Sequence, residues 1–165
     1  MKIKILDSTL LDKKIKRLAW EIFENNSNEK EIVFVGIAER GLNLAQRLVK
    51  YLDGISKIKS TVLNLKLDKD NPYKKQAVLD ADVTDFADKV VILCDDVLNS
   101  GKTLMYASKH FLDVPLKNLS IVVLVNRDHN CYPIKANYVG ISLATTLQEY
   151  IKVSLDKSDQ GIYLS

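Results

Sequence analysis

Asp95 and Asp96 stand side by side at the end of an apolar run, Val90-Val91-Ile92-Leu93-Cys94, and four residues later comes the turn Ser100-Gly101-Lys102-Thr103. Adjacent carboxylates can accept hydrogen bonds from vicinal sugar hydroxyls. They can also help hold Mg²⁺, which takes few protein oxygens and completes its shell from water and substrate phosphates. A small, hydroxyl-bearing turn at a helix N-terminus offers N–H groups and hydroxyls to a phosphate. Together the pair and the turn suit a phosphorylated sugar. The plainer alternative is that the acids only begin a turn and cap the following helix. The aliphatic strand before them and the Ser-Gly-Lys-Thr turn after them favour the chemical reading. An ATPase-type phosphate loop does not fit, because the position of its first glycine is Asp96, whose charge would repel a triphosphate.

A second segment has anion-binding character: Gly36-Ile37-Ala38-Glu39-Arg40-Gly41. A strand-to-helix turn flanked by glycines presents backbone N–H groups at a helix start, where an anion is stabilised. Arg40 adds a planar guanidinium that can grip such an anion in two places. Glu39 either points outward or reaches the anion through a metal. The competing reading is an ordinary loop with a Glu–Arg surface pair.

The elements that must position these residues follow from periodicity. Leu11, Ile15, Leu18, Ile22 and Phe23 recur at helical spacing after the candidate caps Asp7, Ser8 and Thr9, and Asn25–Asn28 ends that helix. Ile32–Ile37 reads as a short buried strand. Leu42, Ala45, Leu48, Val49 and Leu52 mark a second helix, with Gly54 as its stop signal. Residues 61–67 alternate as a strand, and the charged stretch 68–76, with Pro72, reads as a mobile loop. Strands are expected at 90–94 and 121–125, with a helix at 103–112 between them and shorter strands at 138–143 and 150–155. That order predicts an α/β fold with a mainly parallel central sheet flanked by helices. In such sheets ligands sit at the carboxyl ends of the strands, where both chemical segments fall.

The totals agree. The 165 residues predict a single domain, 1–165, and a hydrophobic share of 47% is enough for a packed core. The net charge of +3 suits anionic substrates and falls short of a dedicated nucleic-acid binder. Cys94 and Cys131 lack metal or redox spacing, so a buried thiol at Cys94 and a reducing, cytoplasmic setting are expected. The N-terminal residues lack the apolar stretch of a signal peptide. No segment approaches the roughly 20 apolar residues of a membrane span.

Val91–Thr103 resembles the signature of the type I phosphoribosyltransferases: an aliphatic strand, two acids, two aliphatic residues, a variable residue and a small phosphate loop. Further pieces carry the likeness: Leu6-Asp7 with Arg17-Leu18-Ala19, Val35-Gly36-Ile37 with Arg40-Gly41, Val123–His129, Pro133-Ile134 and Asn137–Gly140. They resemble the branch of bacterial pyrimidine-operon attenuation regulators that double as uracil phosphoribosyltransferases. The likeness covers most of the chain except the stretch between Leu67 and Leu79. It implies that Asp95 and Asp96 meet the ribose of phosphoribosyl pyrophosphate (PRPP) and help hold Mg²⁺. It also implies that Asn99, Ser100, Gly101, Lys102 and Thr103 cradle the 5′-phosphate, and that Ala38, Glu39, Arg40 and Gly41 form the pyrophosphate loop. Val97 and Arg127 would frame the nucleobase beneath a small hood. Lys66 and Lys69 of the mobile loop, with Lys74 further along, would neutralise the leaving pyrophosphate. The family commonly forms homodimers.

Some positions depart from the family pattern. Asn99 stands where 6-oxopurine enzymes carry an aspartate, which favours a pyrimidine acceptor, with uracil implied by the resemblance. Asn126 and Asp128 flank Arg127 in place of the usual Asp and Gly. Leu65–Asp70 stands where a Tyr-Arg-Asp-Asp element is expected. Trp20 replaces a histidine linked to RNA binding, although Lys13, Lys14, Lys16 and Arg17 keep the first helix basic. A solvated face is the expected reading of those charges, with RNA contact as the alternative role. PRPP binding without turnover is a third reading, prompted by the altered loop. His110 and His129 are expected to be structural.

Overall fold

The computed structural model describes residues 3–156 and 158–165. Strand β1 (Ile3–Leu6) leads into helix α1 (Ser8–Asn25), whose first turn is capped by the Asp7 carboxylate accepting from the Leu10 amide at 2.9 Å. Leu11, Ile15, Leu18, Ala19 and Ile22 form its buried stripe. At its end the Asn25 and Asn26 side chains donate to the carbonyls of Glu21 and Ile22. Strand β2 (Glu31–Ile37) runs directly into α2 (Ala38–Ile55), which carries on through the expected stop at Gly54. Strand β3 (Lys59–Lys66) follows, and then β4 (Val78–Leu79), a short antiparallel return of the loop. The sequence had offered no sign of β4, or of the single 3₁₀ turn at Val83–Phe86.

Strand β5 (Val90–Leu98) extends four residues past the apolar run and carries both acids within the strand. Asp95 pairs with Val123, and Val97 with Val125, in β6 (Asn118–Asn126). Between these strands lies α3 (Lys102–Lys109), which ends three residues before the expected boundary. Strand β7 (Tyr138–Ser142) completes a six-stranded sheet in the order β4-β3-β2-β5-β6-β7, parallel except for β4.

Two apolar layers cover this sheet. Ile32, Phe34, Ile92 and Leu124 pack against α1 and α2 on one face. Val33, Leu93, Val123 and Phe111 form the layer on the α3 face. Burial on both faces explains why β2, β5 and β6 read as continuous apolar runs. Strands β8 (Ile151–Ser154) and β9 (Gly161–Leu164) pair antiparallel, and β9 also pairs with β1, giving a separate three-stranded sheet. Neither β1 nor β9 was expected. Each has four residues, and their pairing joins opposite ends of the sequence.

The strand order reverses between β2 and β5. The chain builds outward from β2 to β3, then returns and builds through β5 to β7 on the other side. Ligand crevices in open α/β sheets form at such a switch point, beyond the strands' carboxyl ends. The loops leaving β2 and β5 there are the two chemical segments.

Candidate active site

The side chains of Asp95 and Asp96 are 3% and 5% exposed, which is unusual for adjacent acids. Two cations accompany them. The Lys69 ammonium lies 2.6 Å from Asp95 Oδ1 and 3.4 Å from Asp96 Oδ1. Arg40 donates from Nη1 to Asp96 Oδ2 at 3.2 Å. The Asp96 amide also donates to Asp95 Oδ1 at 2.9 Å.

Burial pushes the Asp95 carboxyl up to about 7, with Lys69 pulling the other way and Asp96 adding to the rise. Burial also works against Asp96, but Lys69, the Asp95 hydrogen bond and Arg40 together hold it below the usual carboxylate range. For Lys69, burial opposes the charge and the two acids overcome it, so its pKa is raised. The pair therefore favours a shared positive partner. The neighbouring Cys94 thiol is pushed up by burial, as expected for a structural cysteine.

The turn after β5 leaves three of its amides open, while the Lys102 amide donates to Ser100 Oγ at 3.3 Å. Gly101 caps α3 with φ +82°, and a Cβ there would lie 2.5 Å from Ile134 Cγ2. The Ser100 carbonyl is held from behind by the amides of Cys131 and Tyr132 at 2.8 and 3.0 Å. The N–H groups of Ser100, Gly101 and Thr103 find no acceptor among the described residues. Lys69, Asp70, Asp95, Val97 and residues 99–104 line one cleft of about 270 Å³. Asn99, Ser100, Gly101, Lys102 and Thr103 thus all share a cleft with Asp95.

The loop after β2 closes the other side. Ala38 opens α2 with φ +53°, a left-handed conformation that is costly for a residue with a Cβ. Gly41 packs so closely on β5 that a Cβ would lie 2.3 Å from the Cys94 carbonyl oxygen. Glu39 is exposed, and with Arg40 and Asn43 it borders a second cleft of about 290 Å³ completed by Lys152 and Ser154 of β8. A larger cavity of about 650 Å³ lies between the 68–79 loop and α3, lined by Tyr73, Tyr106 and His110, and neither Asp95 nor Asp96 borders it.

Two residues sit differently from their companions. Lys66, at the end of β3, is exposed and borders neither acid-side cleft. Arg127 is 6% exposed, and its guanidinium donates to Thr145 Oγ1 (2.9 Å) and to the carbonyls of Thr146 (3.1 Å) and Glu149 (2.7 Å). Its hydrogen bonds therefore secure the 145–149 segment. The His129 ring contacts the Thr145 carbonyl at 2.7 Å, a structural role. His110 lies edge-on to Phe111. On α1, the Arg17 guanidinium is tied to the carbonyls of Val139 and Gly140 and pairs with Glu21, while Lys13 and Lys16 are exposed. Trp20, 42% exposed, lies edge-on to Phe23. Sequence reasoning missed the Lys102–Asp70 contact and the Arg127–loop contacts, because both depend on how irregular segments fold back.

Comparison with known proteins bears on this geometry. Residues 4–155 match the family model described as the phosphoribosyl transferase domain. The Bifunctional protein PyrR of Latilactobacillus sakei is 34% identical, over 95% of this chain and 93% of that protein. The protein of the same name from Thermoanaerobacter sp. (strain X514) is also 34% identical, over 97% of this chain and 95% of that protein. Among solved structures, the hypoxanthine phosphoribosyltransferase of Trypanosoma cruzi superposes with a TM-score of 0.78 at 13% identity, covering 96% of this chain and 94% of that one. A hypoxanthine-guanine phosphoribosyltransferase from Bacillus anthracis gives a TM-score of 0.73 at 24% identity, covering 87% and 84%. At these identities the structural likeness speaks for the fold. Among the described residues no helix is long and apolar enough to cross a membrane.

Proposed function

Because the chain belongs to the phosphoribosyl transferase domain family, we propose that it transfers the phosphoribosyl group of PRPP to a pyrimidine base, uracil first among them, and releases pyrophosphate. The observation that carries this reading is the buried Asp95–Asp96 pair beside a turn whose amides are open. Asp95 and Asp96 accept from the ribose hydroxyls and favour the positive charge that develops on the sugar as the bond to pyrophosphate lengthens. Ser100, Gly101, Lys102 and Thr103 hold the 5′-phosphate through amides, hydroxyls and the Lys102 ammonium. Ala38, Glu39, Arg40 and Gly41 border the pyrophosphate, with Arg40 as its cation. No covalent nucleophile is required, since fixing the two reactants in line supplies much of the rate.

Two carboxylates, in a protein whose described residues include no cluster of three or more metal-ligating side chains, fit Mg²⁺, which takes most of its ligands from water and phosphates. Asp95 and Asp96 would hold it, and when bound it would supply neutralising charge to the leaving group. Uracil is supported by Asn99, which stands where 6-oxopurine enzymes carry an aspartate, and by the sequence's resemblance to regulators that double as uracil phosphoribosyltransferases. A panel of bases incubated with PRPP and Mg²⁺, with pyrophosphate release as the readout, tests the proposal. The expected result is release with uracil above purines; no release with any base retires it in favour of PRPP binding without turnover.

Arg127 acts on the acceptor through the segment it secures. Arg127→Lys keeps the charge and loses the planar fork. It is expected to raise the KM for the base about tenfold while leaving PRPP affinity within about twofold. Steady-state kinetics with each substrate varied in turn checks this; equal changes in both would remove Arg127 from acceptor positioning.

The relatives' printed name, Bifunctional protein PyrR, favours a second role, and the sequence's resemblance to pyrimidine-operon attenuation regulators makes RNA binding that role. Lys13 and Lys16 are available for it, whereas Arg17 is already engaged. Salt-dependent, nucleotide-tuned binding of pyrimidine-leader RNA would establish that role.

A further inference from the structure

The acids and the phosphate turn are each engaged by the same short loop. Lys69 bridges Asp95 and Asp96 with a single ammonium, where a metal ion or a pair of sugar hydroxyls would otherwise stand. One residue on, the Asp70 carbonyl accepts from the Lys102 ammonium at 3.0 Å. These contacts lie on one rigid piece of chain. The Asp68 carboxylate accepts from the amides of Asp70 and Asn71 at 3.0 and 3.1 Å, so Lys69 and Asp70 are held within a small closed turn. Further along, the loop is weakly held, with Tyr73 62% and Val78 58% exposed.

We propose that Lys69 and Lys102 form a two-point latch that shuts the sugar-phosphate cleft, released only by a ligand that carries both a vicinal diol and a phosphate. The proposal rests on the reading of Asp95, Asp96 and the 100–103 turn given above, and it adds how that site is gated. The physical argument is competition for the same atoms. Buried carboxylates need a positive or hydrogen-bonding partner, and Lys69 supplies it in the free protein. A diol on the acids displaces that ammonium, and a phosphate on the turn draws Lys102 away from the Asp70 carbonyl. Breaking one contact leaves the other holding the Asp68–Asn71 turn in place. Breaking both frees the loop, and Lys69 with it, to move toward the leaving group. Ligand affinity is therefore reduced by the share of molecules in the latched state.

Hydrogen exchange of the amides of residues 68–77, followed by mass spectrometry, tests the latch in the full chain. Ribose 5-phosphate is expected to speed exchange about fivefold, whereas ribose alone and inorganic phosphate alone leave it unchanged. Lys69→Met lacks one of the two contacts, so inorganic phosphate alone is expected to bring its loop to the fast rate, and calorimetry finds ribose 5-phosphate bound about tenfold more tightly. Lys69→Arg, which keeps the charge, retains the slow rate and serves as the check that the fold survives substitution there. Exchange of Lys69→Met that phosphate alone does not speed, or weaker binding of ribose 5-phosphate by Lys69→Met, overturns the latch while PRPP binding by the wild type keeps the phosphoribosyltransferase reading. Failure of the wild type to bind either ribose 5-phosphate or Mg²⁺–PRPP overturns both.

Discussion

Replacing Asp96 by asparagine is expected to lower pyrophosphate release by about 10²–10³-fold, the usual effect of removing one preorganised charge contact to a transition state. The carboxylate is 5% exposed and faces Arg40 and Lys69, so the amide keeps the shape and removes the charge that both cations address. Turnover should fall with little change in thermal midpoint, and unchanged turnover would remove the acids from the chemistry. The neighbouring acid adds a pH signature. Asp95 has a folded-state pKa of about 7, above its unfolded value, so the folded protein binds more protons than the unfolded chain between about pH 4 and 7. Its contribution to stability is full below that window and is lost as the pH rises through it. Asp96, held low, contributes in the opposite sense, losing stability only as the pH falls below the usual carboxylate range. In chelator-treated protein, Asp95→Asn should flatten the decline in thermal midpoint between pH 5 and 8.

Gly41→Ala is expected to be severely damaging for a single-methyl change. The added Cβ would lie 2.3 Å from the Cys94 carbonyl oxygen, a backbone atom in the middle of the sheet that cannot rotate away. The start of α2 must therefore lift off β5. Overpacking of this kind costs about 3 kcal/mol, or roughly 6–12 °C in thermal midpoint for a chain of this size. The same shift moves Arg40 and the Ala38 amide relative to Asp96, so activity should fall further than stability alone predicts. Gly54→Ala in the last turn of the same helix is the control. Nothing lies within 4 Å of its Cβ, and it should stabilise by about 0.5–1 kcal/mol. Calorimetry on the two variants decides the point: equal midpoints would show that α2 does not need its close seat on β5.

The parts of this protein that sequence exposed are those written in local periodicity. The stripe from Leu11 to Ile22 and the doubly buried runs of β2, β5 and β6 follow from apolar spacing, and the acids and the turn follow from residue type. The misses share a physical origin in non-local pairing. Aspartates are poor strand formers, so β5 seemed to end at Cys94, yet its ladder with β6 carries the strand to Leu98. Arg127 was expected to frame the base, whereas its bonds to residues 145–149 depend on a loop with no periodic signal. Lys69 stood out as a loop cation. That it would lie on the acids followed only from the turn made by Asp68, whose side chain competes with regular structure for backbone amides.

The pairing of β1 with β9 joins Ile3 to Leu164, residues separated by nearly the whole sequence. Closing so long a segment carries a high entropic cost, and contacts of that separation form late in folding. Val153 of β8 and Ile162 of β9 are buried in the same apolar cluster as α1 and α2, so this late closure seals the main core as well. Lys152 and Ser154, which border the Arg40 cleft, belong to the small sheet. The wall of the crevice beside Arg40 is thus fixed by strands from distant parts of the sequence, while the acids are seated in β5.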